Sequence, residues 1–253
     1  MIKFFEEEIQ KKKYSLVLQH VDAWQDETEV ALELEKEKRL RGIIFLGGIA
    51  SHSQEQLKKI PVPFVLSTVS LLGKEYKNDY SFVSVDDVKE SCRMTEHLIS
   101  QGHEKIALLC SYKEDVSIGA LRLTGYKKAL EAHNIPVDER RIRHMDPELD
   151  SYSMESGYRM TKALLEEGVD CTAIFAISDS LAIGAVRALI DAGKRVPMDI
   201  SVAGFDGTEM AAYYNPSITT IRQPAETMAR ETIKLLFDRS EERRVGKECR
   251  SRW

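Results

Sequence analysis

Seven short apolar runs punctuate the chain: "YSLVLQH" (14–20), "RGIIFLG" (41–47), "PFVLST" (63–68), "KIALLCS" (105–111), "TAIFAIS" (172–178), "ISVAGFD" (200–206) and "ITTIR" (218–222). They are strand-length and mostly apolar at consecutive positions, as expected of strands buried on both faces of a parallel sheet. Segments of helical period lie between them. "DDVKESCRMTEHLISQG" (86–102) puts Val88, Cys92, Thr95 and Ile99 on one face and closes on Gly102, a C-terminal glycine. "SDSLAIGAVRALIDAG" (178–193) opens on a Ser/Asp cap and stops at Gly193. "QPAETMARETIKLLFD" (223–238) carries Pro224 in its first turn, where a missing N–H costs nothing. Residues 2–13 read as a helix with "FF" on its apolar face and no strand before it. The repeated strand–helix–strand order predicts an α/β architecture with right-handed crossovers.

The totals exclude several classes of function. With 253 residues and 43% apolar content, the chain is long enough to bury one large core or two modest ones. A formal net charge of −5 lacks the basic excess that a phosphate backbone attracts. Cys92, Cys110, Cys171 and Cys249 are widely separated and form no C-x-x-C pair, so they predict reduced thiols rather than a zinc site or a disulfide framework. The start, "MIKFFEEEIQKKK", has no apolar signal core, and no apolar run approaches the length that spans a bilayer. A cytoplasmic location is the expectation.

Motifs for common chemistries are missing. There is no G-x-G-x-x-G, P-loop, G-x-S-x-G or H-E-x-x-H, which argues against nucleotide cradles, serine hydrolysis and zinc proteolysis. The six histidines show no metal-ligand spacing. What recurs is a polar residue at the carboxyl end of a predicted strand. Strand 172–178 leads to Ser178 and Asp179, strand 200–206 to Asp206, strand 218–222 to Arg222 and Gln223, and strand 105–111 towards Arg122. In open α/β sheets, ligands bind outside those ends. Each residue alone could equally cap a helix or form a turn. Together they predict a polar site suited to hydroxyl-rich molecules, because carboxylates accept and guanidinium groups donate several hydrogen bonds. No nucleophile with an attendant base accompanies them, so binding is expected rather than catalysis. No cofactor or metal is expected.

"HLISQGHEKIALL" (97–109), "RLTGYKKAL" (122–130), "AISDSLAIGAVRALIDAGKRVPMDISVAGFDG" (176–207) and "NPSITTIRQPAETMARETIKLL" (215–236) resemble the effector-binding region of the LacI/GalR family of bacterial transcription regulators. The likeness covers nearly all of residues 2–238. It implies two doubly wound parallel-sheet subdomains, as in periplasmic sugar-binding proteins, with the ligand in a cleft between them. One subdomain would comprise 1–83 plus 219–238, its first strand missing, and the other 84–218. Arg122 would match the arginine that pairs with the effector, and Asp206 the acidic acceptor. Gln223 would border the cleft, Tyr152 would pack on the ligand's apolar face, and Asp86 would open the second subdomain. Ser178-Asp179 stands where members often have Asn-Asp, and Thr68 where many have Asp. These departures imply an effector other than a simple hexose.

The resemblance implies a homodimeric sensor of a sugar or nucleoside-like effector. Operator DNA would be contacted only through a helix-turn-helix headpiece absent from this chain. The alternative is a sugar-binding protein of an import system. The last fifteen residues, "RSEERRVGKECRSRW" (239–253), hold six Arg/Lys and three Glu without apolar periodicity. They resemble the translation of a short-read sequencing adapter and are expected to be a non-native tail.

Overall fold

The computed structural model describes residues 1–21, 25–47, 54–69 and 81–250, of which 54–55 and 241–250 are described as backbone alone. The chain divides into two compact units, one of Met1–Ser84 with Pro224–Trp253, the other of Val85–Gln223.

In the first unit, β1 (Ile43–Leu46), β2 (Phe64–Ser67) and β3 (Ser81–Val83) form a parallel sheet in the order β1-β2-β3. Helices α1 (Ile2–Lys11) and α9 (Ala225–Arg250) pack together, burying Phe5 and Ile9 against Ala229 and Ile233. A second cluster joins Ala31 of α2 (Glu27–Lys38) and Leu57 of α3 (Gln54–Lys58) to Phe45, Phe64 and Leu66 of the sheet. Helix α9 runs through 239–250 of the basic tail, and 251–253 lie outside the described residues.

The run 14–20 does not form the strand its composition predicts. It lines a cavity of about 1270 Å³ that Ile43–Leu46 of β1 also line. The physical reason is the lack of a ladder: among the described residues β1 ends its sheet and pairs only with β2, and Val17 and Leu18 of the run remain 49% and 65% exposed. A strand is defined by its ladder, and apolar content alone does not supply one.

The second unit holds a five-stranded parallel sheet in the order β5-β4-β6-β7-β8. Its strands are β4 (Ile106–Cys110), β5 (Ile142–His144), β6 (Ala173–Ala176), β7 (Ser201–Asp206) and β8 (Thr219–Arg222). All residues of β4 and β6 are buried, the continuous burial expected of central parallel strands. Strand β8 ladders with β7, pairing Asp206 with Arg222. It therefore sits in this unit, whereas the reading from sequence grouped 219–238 with the other one.

Helices α4 (Asp87–Ser100) and α5 (Ile118–Ala132) pack as one pair, and α6 (Met154–Glu166) and α7 (Asp179–Asp191) as another. A Cβ on Gly184 of α7 would collide with the Met154 carbonyl, and one on Gly157 of α6 with the Leu181 backbone, so these two glycines let the α6 and α7 backbones meet. Strand order reverses at β4. Right-handed crossovers place the helix after β4 on one face and those after β5 and β6 on the other. The gap beyond the carboxyl ends of β4 and β6 is thus the topological switch point, where such sheets leave room for a ligand.

Candidate functional site

Arg122 occupies that switch point. It lies on α5 and is only 2% exposed. Its Nε donates to Asp87 Oδ1 (2.8 Å) and its Nη1 to the Ile177 carbonyl at the end of β6 (2.5 Å). The guanidinium carbon lies 3.7 Å from the centre of the Phe205 ring, a cation–π stack. Nη1 is 3.7 Å from Asp206 Oδ1. The guanidinium is fixed from three sides, and the Nη1 that donates to Ile177 also faces Asp206.

Asp206 ends β7 with φ +125°, and Gly207 follows at φ +72°. For Asp206 that is a sparsely populated backbone region, of the kind that persists only when surrounding structure over-determines it. A Cβ on Gly207 would come within 2.5 Å of Arg222 Cα, so the close pass of β7 and β8 demands glycine there. The Asp206 carboxylate accepts from Gln223 Nε2 (2.7 Å), and the two residues also share a backbone bond, Gln223 N–H to the Asp206 carbonyl. The side chain keeps about a third of its surface exposed (32%). Burial pushes its pKa up to about 6, opposed by the Arg122 guanidinium and the Gln223 hydrogen bond and reinforced by the Asp179 charge. With Nε2 committed to Asp206, Gln223 Oε1 is buried and has no hydrogen-bond partner, leaving an acceptor available.

The other predicted residues divide by what their oxygens already do. Asp86 is the N-cap of α4 and accepts from Lys89 N–H, and Ser178 caps α7 through Leu181 N–H while 4% exposed. Asp179, 1% exposed, accepts from Thr208 N–H and from the Thr220 hydroxyl. Tyr152, at φ +56°, packs against the core of this unit. Burial pushes its phenol up, with Asp115 and Arg122 both near enough to act on it. Thr68 belongs to the other unit, where it follows β2 at φ +56° and its hydroxyl donates to the Ser67 carbonyl. The structure thus brings Arg122, Asp206, Gln223 and Asp179 together, gives Asp86 and Ser178 capping roles, and keeps Thr68 in a separate unit.

Three residues escaped the reading from sequence. Asp87, 2% exposed, is the buried partner of Arg122; burial pushes its carboxyl up and the guanidinium opposes this. Phe205 supplies the face on which Arg122 stacks. Asp115, in the loop after β4, gives one oxygen to Ser117 N–H (2.7 Å) while its other oxygen is buried without a partner. The signal for Asp87 lies in the helical period. The buried face of α4 is Asp87, Ser91, Met94, Thr95 and Leu98, one residue round from the face chosen on apolarity. Asp87 and Ser91 are polar yet inside, because Asp87 meets the Arg122 guanidinium and Ser91 Oγ donates to the Arg122 carbonyl (2.5 Å).

Among the described residues no group of His, Cys, Asp and Glu has the arrangement of a metal site, and no helix is long and apolar enough to cross a membrane. The cluster itself combines a fixed cationic donor, a carboxylate of raised pKa and an amide acceptor, which suits hydrogen bonding to a polyhydroxylated or amide-bearing ligand.

Residues 95–251 match the family described as periplasmic binding protein-like domain. The HTH-type transcriptional regulator MalR of Clostridium butyricum is 40% identical over 235 residues, covering 90% of this chain and 67% of that protein. Catabolite control protein A of Priestia megaterium is 32% identical over 225 residues, covering 88% of this chain and 65% of its own length. The chain therefore spans about two thirds of the length of these relatives. Among solved structures, a transcriptional regulator CelR–cellobiose complex superposes with TM-score 0.80 at 28% identity, covering 96% of this chain and 72% of that one. A LacI family regulator from Enterococcus faecium with bound ribose gives TM-score 0.78 at 29% identity, covering 95% and 84%. These relatives are regulators, and an import protein is not the favoured reading. Taken with the parallel α/β fold, they show that the chain belongs to the LacI family of transcription regulators and carries its periplasmic-binding-protein-like region.

Proposed function

We propose that this chain is the effector-sensing core of a LacI-type regulator, and that Arg122, Asp206 and Gln223 hold a sugar or sugar-like effector. The observation that carries the reading is the cluster at the switch point: a guanidinium locked on three sides, facing a carboxylate, beside an amide oxygen with no partner of its own. Sugar hydroxyls both donate and accept, so one hydroxyl can bridge Asp206 and Arg122 while a neighbour donates to Gln223 Oε1. The solved relatives with cellobiose and ribose support the ligand class. Tyr152 would flank the sugar's apolar face. Asp206 has no partner base or nucleophile in this cluster, which supports binding without turnover. A protein that binds an effector better in one conformation shifts its population towards it, and in a full-length regulator that shift would alter contact with operator DNA in the cytoplasm.

The test is calorimetric titration of the protein, expressed from its full genomic reading frame, with a panel of mono- and disaccharides and nucleosides. Saturable binding of at least one sugar at one site per chain is expected. Heats confined to nucleosides would replace the sugar by that class, and silence across the panel would remove the effector reading.

The same proposal includes a homodimer. Helix α8 (Glu209–Tyr213) presents Tyr213, 83% exposed, and Met210, 55% exposed. Exposed large apolar side chains grouped on one element mark contact surfaces, and aromatic residues and Met are enriched in them. Sedimentation is expected to give a dimer for the native protein and a shift towards monomer for Tyr213→Lys. An unchanged dimer in that variant would remove α8 from the interface.

A further inference from the structure

Asp179 stands apart from the residues with which the sequence groups it. Its carboxylate is 1% exposed and both oxygens are committed within the unit. Oδ2 accepts from the Thr208 N–H (2.6 Å) and Oδ1 from the Thr220 hydroxyl (2.5 Å). The Thr220 oxygen in turn accepts from the Gly207 N–H (3.2 Å). The two consecutive amides that follow Asp206 are therefore anchored to one side chain, Thr208 directly and Gly207 through Thr220. This clamp joins the start of α7, just after β6, to the turn that ends β7 and to Thr220 within β8. It falls where the chain most needs holding, because Asp206 at φ +125° and Gly207 at φ +72° are not conformations the backbone keeps unaided. Gly204 lies beneath it, and a Cβ there would meet Asp179 Oδ1 at 2.5 Å, so β7 passes against the carboxylate without a side chain between.

We propose that Asp179 is a positioning residue: it holds the Asp206–Gly207–Thr208 turn through Thr208 and Thr220, and so sets the direction of the Asp206 carboxylate without touching the effector. The proposal rests on the reading of Asp206 as an effector contact. Charge gives it a second consequence. The groups that face Asp206 are Arg122 from α5, with Asp87 of α4 behind it, Asp179 from α7, Arg222 of β8 through its pairing with Asp206, and Gln223 after β8. Among those that act on its pKa, the Asp179 carboxylate raises it, and Arg122, Gln223 and a hydrogen bond from the Asp179 backbone lower it. Removing the Asp179 charge shifts the Asp206 midpoint downward, an effect that a purely structural support would not produce.

The experiment compares Asp179→Asn, Thr220→Val and Thr220→Ser for affinity towards a sugar that the native protein binds, measured across pH 5–8 on folded protein. Asp179→Asn is expected to weaken binding about tenfold or more, the equivalent of one charge-assisted hydrogen bond, and to move the midpoint of its pH dependence to lower pH. Thr220→Val is expected to weaken binding while leaving the midpoint nearer the native one, and Thr220→Ser, which keeps the hydroxyl, to restore affinity. If Asp179→Asn does not fold, the contrast between the two Thr220 variants decides the matter. Equal affinity in Thr220→Val and Thr220→Ser, or native affinity and midpoint in Asp179→Asn, overturns the proposal. Carboxyl ¹³C titration of Asp206 needs no ligand and separates the two readings. A midpoint lowered by Asp179→Asn, in a protein whose Asp206→Asn variant still binds sugar normally, would keep the clamp and discard Asp206 as a contact.

Discussion

Replacing Arg122 by alanine is expected to lower unfolding stability by about 3–5 kcal/mol and to abolish effector binding. Removing one partner of a buried ion pair leaves the other charge uncompensated, which is the costly half of such an arrangement. Here the stranded group is Asp87, 2% exposed, and the Ile177 carbonyl and the Phe205 ring lose their partner at the same time. Urea denaturation measures the loss. The deficit is expected to shrink as pH falls, since burial already pushes the Asp87 carboxyl up and loss of Arg122 removes the opposing charge. Below its raised midpoint Asp87 is neutral and no longer penalised. The double variant Asp87→Leu with Arg122→Met replaces both charges by apolar groups and is expected to regain much of the stability but none of the binding. Recovery of binding in that double variant would show that the guanidinium serves the fold alone.

Asp206→Asn is expected to produce the opposite profile. Affinity falls about a hundredfold, the loss of one to two charge-assisted hydrogen bonds, while the fold is unharmed at neutral pH. The sign follows from the raised pKa, about 6. A carboxyl that holds its proton more tightly when folded adds stability below its unfolded value, and that contribution is lost as pH rises through about 6. At pH 7.5 the ionised group adds nothing of this kind, so asparagine costs little. Between pH 7.5 and 5 the native protein gains stability from protonating Asp206, and the variant does not. Denaturation at the two pH values checks this. Effector affinity should change in the other direction, falling in the native protein as pH drops through about 6, because the proton removes an acceptor. A parallel rise of stability in native and variant proteins would mean that other groups dominate that window.

How much was legible beforehand depended on whether a residue's surroundings could be read from its neighbours in sequence. The buried strands could be read that way. β4, β6 and β7 announce themselves as consecutive apolar residues, and each predicted run reappears as a slightly shorter strand. The run 14–20 looks equally strand-like, but a ladder needs a paired neighbour, and among the described residues β1 pairs only with β2. Part of the candidate site was legible as polar residues at strand ends, because topology carries Asp179, Asp206 and Gln223 to one place. Their division of labour was not. Asp86 and Asp87 are adjacent and chemically identical, yet one caps a helix at the surface and the other is buried against Arg122. The difference is a 100° turn of α4, which apolarity alone assigned one residue out because two of the buried positions are Asp and Ser. Asp179 likewise reads as a helix cap, and only the long-range contacts to Thr208 and Thr220 give it a clamp's role. No local signal reports a partner 41 residues away.

In the proposed site Asp206 is a carboxylate held, in a strained turn, to accept from the effector. Its side-chain ¹³C resonance titrated with and without a bound sugar tests this most directly. A midpoint near 6 in the free protein, driven lower on saturation because the ionised form is the one that binds, is the expected result. A midpoint in the ordinary carboxylate range that the sugar leaves unmoved would contradict it.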